Sequence, residues 1–140
     1  MGVDSFPLRK AKRLVSDDRP IPPESSGTIL LVEDTEALQE VITENLRDLG
    51  YLVLIASTGE DAVRIAAAHQ GRIDVLLTDI RMPGVQGPEL ARQLAIARPG
   101  IRIILMSGGA PGTDLAPGVV VLQKPFGREQ LAKALRDALR

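Results

Sequence analysis

Five short apolar runs recur along the chain, and the stretches between them carry apolar residues at helical spacing. Thr28-Ile29-Leu30-Leu31-Val32 is the first run, continuous in the way of a strand covered on both faces, and Glu33-Asp34 ends it. Thr35 then offers an N-cap. Leu38, Val41, Ile42, Asn45, Leu46 and Leu49 follow at helical spacing, and Gly50 is the stop. Residues 51–56 form a second apolar strand. Ser57-Thr58-Gly59-Glu60 opens a helix carrying Ala62, Val63, Ile65, Ala66 and Ala67, closed near Gly71. A third strand ends at Asp79, and Pro83-Gly84 turns the chain out of it. The pattern then predicts a helix over residues 87–97 with Pro88 in its first turn, and strands over 101–106 and 119–123. A final helix from about Arg128 has Leu131, Ala134, Leu135, Ala138 and Leu139 as one stripe.

Strands alternating with helical crossovers make an α/β fold, a parallel sheet with helices on both faces, because each crossover must be right-handed. The expected arrangement is the flavodoxin-like doubly wound sheet with strand order 2-1-3-4-5, which places the ends of strands one and three side by side. One crossover departs from this regularity. Between the fourth and fifth strands, Gly108, Gly109, Pro111, Gly112, Pro117 and Gly118 crowd the connection. An interior glycine costs a helix about 1 kcal/mol and an interior proline about 3 kcal/mol, so the helix there is expected to be shortened or absent. The apolar surface that this would leave at strands four and five is a candidate homodimer or kinase-docking face.

Residues 1–27 lack any sustained apolar period and carry Pro7, Pro20, Pro22 and Pro23 before a Ser25-Ser26-Gly27 exit. They read as a flexible arm or linker, and residues 28–140 as one domain. The basic cluster Arg9-Lys10-Ala11-Lys12-Arg13 is nearly cancelled by Asp4, Asp17, Asp18 and Glu24, so it reads as a solvated tail. Composition narrows the function classes. With 140 residues the chain can bury a core without staples, and it has no cysteine for disulfides or thiolate metal sites. The net charge of -1 gives no field for nucleic acid, and the 2% aromatic content leaves no base-stacking platform. No membrane span or secretory leader is visible. The expected setting is cytoplasmic, with neither nucleic acid nor membrane as a partner.

The chemistry gathers at the strand ends. In a parallel sheet, ligands bind at the carboxyl edge, where Glu33, Asp34 and Asp79 converge once strands one and three are neighbours. Three like charges in one cleft repel, so either some are protonated or a cation sits among them. All the donors are hard oxygens, which suit Mg²⁺ or Mn²⁺ over Zn²⁺. Ser107 and Lys124 end the fourth and fifth strands. Singly, one reads as a turn residue and the other as a surface lysine. Together with the carboxylates, they are the hydroxyl and ammonium that a phosphoryl group on Asp79 requires.

On these residues the chain resembles the receiver domains of bacterial two-component response regulators. The resemblance spans residues 28–140 and rests on Glu33-Asp34, on Asp79-Ile80-Arg81-Met82-Pro83-Gly84, on Ser107, and on Lys124-Pro125-Phe126. In detail it looks most like the receivers of hybrid histidine kinases. It implies a signalling domain of a phosphorelay, not an enzyme: Asp79 accepts a phosphoryl group from the phosphohistidine of a histidine kinase or phosphotransfer protein. It also implies Mg²⁺ held by Asp34, Asp79 and the Arg81 backbone carbonyl, with Glu33 acting through water, and Ser107 and Lys124 on the phosphoryl oxygens. Receivers usually carry an aromatic residue where Val121 stands, so a smaller structural response to phosphorylation is expected.

Two other readings compete. An aspartyl-phosphate phosphohydrolase would want a general acid two residues after the nucleophile, where Arg81 stands. A non-phosphorylated scaffold of the same fold would be expected to have lost an acidic or lysine position, and Glu33, Asp34, Asp79 and Lys124 are all present.

Overall fold

The computed structural model describes residues 27–109 and 118–140. Nine elements follow in chain order: β1 (Gly27–Val32), α1 (Glu36–Asp48), β2 (Tyr51–Ala56), α2 (Gly59–Ala68), β3 (Val75–Asp79), α3 (Gly87–Ala97), β4 (Arg102–Ser107), β5 (Val120–Gln123) and α4 (Arg128–Leu139). The strands form one parallel sheet in the order β2-β1-β3-β4-β5, as the alternating pattern predicts. β1 opens at Gly27, the last residue of the expected arm and one before the expected start of the strand, and Ser107 lies inside β4 rather than after it. The rest of the expected arm and most of the β4–β5 connection, where a helix was expected to be shortened or absent, lie outside the described residues. No helix of the described residues is long and apolar enough to cross a membrane.

The continuous apolar runs are explained by the two core layers. Alternate residues of the central strands point to opposite faces. Ile29, Leu31, Val75, Leu77, Ile104 and Met106 pack with Ile42 and Leu46 of α1 and Leu131 and Leu135 of α4. Leu30, Val32, Leu76, Ile103 and Leu105 face the other way, onto Ala62 and Ala66 of α2 and Leu90 and Leu94 of α3. β3 is buried along its whole length, which is why its sequence shows no polar alternation before Asp79.

Two helices depart from the sequence pattern, α1 in its buried face and α2 in its end. In α1, Leu38 and Val41 are 38% and 55% exposed, and Thr43 is buried in their place beside Ile42 and Leu46. α1 covers the edge of the sheet at β2, so the outer part of its apolar stripe has no element to pack against. α2 ends at Ala68 instead of near Gly71, and Arg98 reaches over from the end of α3. Its guanidinium donates to the carbonyls of Ala66 (2.9 Å), His69 (2.6 Å) and Gly71 (2.9 Å), satisfying groups that a helix end leaves without partners.

Gly87 fixes how α3 approaches β3. Its amide donates to the Ile80 carbonyl at 2.9 Å. A Cβ there would lie 2.0 Å from the backbone oxygen of Asp79, a contact that only a shift of main chain could relieve. Gly87→Ala is therefore expected to destabilise the protein by about 3 kcal/mol, in the upper range of overpacking effects. Urea unfolding measures it, and a loss below about 0.5 kcal/mol, the level of an ordinary surface change, would show that the close approach is not tight.

Candidate functional site

Parallel register places the acidic residues together. Val32 is aligned with Thr78, so the chain leaves β1 at Glu33 beside the point where β3 ends in Asp79. Glu33, Asp34 and Asp79 each offer a carboxylate oxygen, and these oxygens lie within 4.8 Å of one another. Glu33 and Asp79 are buried, whereas Asp34 is exposed. On the other side, the Lys124 amide donates to the Ser107 carbonyl at 2.8 Å, which continues the β4–β5 ladder and carries Lys124 into the cleft. Its ammonium lies 2.9 Å from Glu33 Oε1 and 2.6 Å from Asp79 Oδ1. One cation thus bridges two buried carboxylates.

The ionisation of the group follows from burial and that bridge. Burial pushes the Asp79 carboxyl up from 3.8 to about 6, and the nearby Glu33 charge adds to this, while Lys124 opposes both. Burial acts the same way on Glu33, but the hydrogen bonds from Lys124 and from the Thr35 amide (3.1 Å) outweigh it, so Glu33 sits below its ordinary value. Burial would lower the Lys124 ammonium, yet its bonds to Asp79 and Glu33 win and raise it. The state near neutral pH is two carboxylates and one ammonium, an uncompensated negative charge to which exposed Asp34 adds another.

Ser107 and Arg81 line the same cleft, a cavity of about 590 Å³ open to solvent. Ser107 makes no hydrogen bond to Asp79. Its hydroxyl donates to the Gly109 carbonyl at 2.8 Å and lies 3.4 Å from the Gly109 amide. Arg81 is exposed at the rim. All six residues singled out from sequence therefore share one cleft, and four of them, Glu33, Asp34, Asp79 and Lys124, share its centre. The direct Lys124–Glu33 bond is new from the structure. No local pattern could announce it, because the two residues are 91 positions apart.

The donor set fits a small divalent cation. Three carboxylates converge within reach of one ion, none of the donors is sulfur or imidazole, and one carboxylate stays open to solvent.

The sequence profile described as the response regulator receiver domain matches residues 29–136. The chain belongs to that family. Among curated proteins, this receiver is 35% identical over 121 residues to the sensor kinase CckA of Brucella abortus, covering 81% of this chain and 13% of the kinase. Among solved structures, the receiver domain from the hybrid histidine kinase CckA is 36% identical with a TM-score of 0.70, covering 81% of this chain and all of that one. A response regulator receiver protein from Sinorhizobium medicae has a TM-score of 0.74 and 32% identity, covering 83% of this chain and 95% of its own. The receiver spans about half or less of the length of the curated relatives it matches. The likeness to receivers of hybrid kinases expected from the sequence is found in both comparisons.

Proposed function

We propose that this receiver accepts a phosphoryl group on Asp79 from the phosphohistidine of a histidine kinase or phosphotransfer protein. The observation that carries the reading is the buried Asp79 carboxylate, set between two further carboxylates and a lysine at the carboxyl edge of the sheet. With a pKa of about 6, Asp79 is mostly ionised near neutral pH and available as a nucleophile. Its carboxylate oxygen attacks phosphorus, the bond from phosphorus to the imidazole nitrogen breaks, and an acyl phosphate forms. Asp34, Asp79 and the Arg81 carbonyl would hold Mg²⁺, with Glu33 acting through water. When bound, that ion neutralises the acidic cleft and draws charge from the phosphoryl oxygens. Lys124 keeps an ammonium beside the reacting carboxylate, where the new negative charge appears. Ser107 can offer its hydroxyl to a phosphoryl oxygen only by leaving the Gly109 carbonyl, so the start of the β4–β5 connection is tied to the state of the site.

Receiver domains are in general signalling domains of two-component systems, and the output here is a contact with another protein or a further phosphorelay step. Val121 is half-buried in β5, where no aromatic ring is available to swing on phosphorylation.

The test is phosphorylation by acetyl phosphate followed by intact mass measurement. The expected result is a gain of one phosphoryl group that requires Mg²⁺, is lost in excess chelator, and is absent from Asp79→Asn. Equal labelling of that variant, or full labelling in chelator, would remove the residue from this role.

A further inference from the structure

We propose that Gln39 is a positioning residue for the acidic pair: by donating its side-chain amide to the Glu33 carbonyl, it holds the peptide that carries Asp34 and so sets the affinity of the cleft for Mg²⁺. Gln39 lies early in α1, and its Nε2 is 3.1 Å from the Glu33 carbonyl oxygen and 3.3 Å from Ser57 Oγ. The amide orientation is fixed by chemistry, because a carbonyl oxygen can only accept. The Glu33 amide still donates to the Ala56 carbonyl at 3.1 Å, but no backbone amide among the described residues donates to the Glu33 carbonyl, so Gln39 supplies its partner.

The consequence reaches Asp34 through the peptide bond. Because that unit is planar, anchoring the Glu33 oxygen also fixes the direction in which the chain enters Asp34. Asp34 needs this help. Its carboxylate is exposed and makes no hydrogen bond or ion pair among the described residues, whereas Glu33 and Asp79 are both held by Lys124. The second contact, to Ser57, links α1 to the turn between β2 and α2 and keeps the Gln39 side chain over the carboxyl edge of the sheet. A side chain outside the coordinating set thus orients a member of it, an arrangement whose loss typically weakens metal binding by roughly 10–100-fold.

This inference rests on the reading of the cleft as a divalent-cation site, and the experiment separates the two. Mg²⁺ is titrated into the full chain at mildly alkaline pH, and backbone amide shifts of Asp34, Asp79 and Ile80 give the Kd. Gln39→Glu is isosteric, adds a negative charge near the site, and replaces the donor with an oxygen facing the Glu33 carbonyl. If charge alone mattered, it would tighten binding. The proposal expects the opposite, a Kd raised roughly tenfold, in line with lost orienting partners. Gln39→Leu, which removes the donor without adding charge, is expected to weaken binding similarly, while Ser57→Ala leaves the Kd within about twofold, because the Glu33 bond persists. Thermal midpoints in chelator for Gln39→Leu and Ser57→Ala should stay close to the wild-type value. Unchanged or tighter binding in both Gln39 variants would overturn the proposal and leave the cation site standing. A wild-type protein that binds no Mg²⁺ would overturn both.

Discussion

In chelator at neutral pH, Asp79→Asn unfolds at a higher temperature than the wild-type protein. The unfolded chain releases the Asp79 proton near 3.8, whereas the folded protein holds it to about 6. Folded protein therefore binds more protons than unfolded protein across that window, and stability falls as pH rises through it. Above about 6 the whole penalty is present. An amide at this position carries no charge, so the penalty disappears, and Lys124 is left paired one-to-one with Glu33 at 2.9 Å. The expected gain is roughly 1–3 kcal/mol at neutral pH, the upper figure being the full shift converted at about 1.4 kcal/mol per unit. It corresponds to a rise in Tm of several degrees for a domain of this size. The advantage should shrink as pH falls toward 4, where wild-type Asp79 is itself protonated in the folded state. Mg²⁺ should raise the wild-type Tm more than that of the variant, since a ligand bound only by folded protein stabilises it. Thermal unfolding with and without chelator at several pH values checks this. A variant that melts lower than wild type at neutral pH in chelator would contradict the buried, repelled carboxylate.

Lys124→Ala is expected to have the opposite effect on the same cleft. Lys124 is the ammonium that compensates Glu33, which is fully buried, and Asp79, which is nearly so. Removing one partner of a buried ionic cluster leaves uncompensated charge and typically costs about 3–5 kcal/mol. Water entering the open cleft reduces the penalty, so a loss of roughly 2–4 kcal/mol is expected in chelator at neutral pH. The pH dependence has a definite sign. In the wild type Glu33 lies below its ordinary value of 4.5, so its contribution is present above 4.5 and lost on acidification. Without the lysine that contribution is gone, and the gap between the two proteins should narrow as the carboxylates protonate. Mg²⁺ should restore part of the lost stability, because it supplies positive charge to the same oxygens. Beryllofluoride, a phosphoryl mimic, should then produce smaller amide shifts in β5 and α4 than in the wild type. Urea unfolding of the two proteins tests the stability claim, and equal midpoints in chelator would reduce Lys124 to a surface lysine.

Much of this architecture was legible because buried parallel strands write themselves as short uninterrupted apolar runs. Val75-Leu76-Leu77 between polar neighbours could only be a covered strand, and the register then carried Glu33, Asp34 and Asp79 to one edge. α3 was readable at its start, with Pro88 in its first turn. Helical faces were less legible. Periodicity ranks Leu38 and Val41 with the core and Thr43 with the surface, but α1 sits over a sheet edge and is rotated so that Thr43 is buried, with no partner for its hydroxyl among the described residues. Residue type says what a side chain prefers, and only the packing says which side has a neighbour. The acidic cleft was legible at the level of composition, not of contacts. Which carboxylate meets Lys124, where the Ser107 proton goes, and what holds the Glu33 carbonyl depend on approaches between distant elements. Gly87 was visible as the start of a helix, but its close approach to the Asp79 main chain was not.

The most direct test of the account is the location of the phosphoryl group. Protein labelled with acetyl phosphate and Mg²⁺ is treated with borohydride, which reduces an aspartyl phosphate to homoserine, then digested and sequenced by mass spectrometry. The reduced residue is expected at position 79, in the peptide containing Leu77-Thr78 and Ile80-Arg81. Reduction at Asp34 or at any other carboxylate, or an unmodified digest from protein incubated with Mg²⁺ and donor, would contradict it.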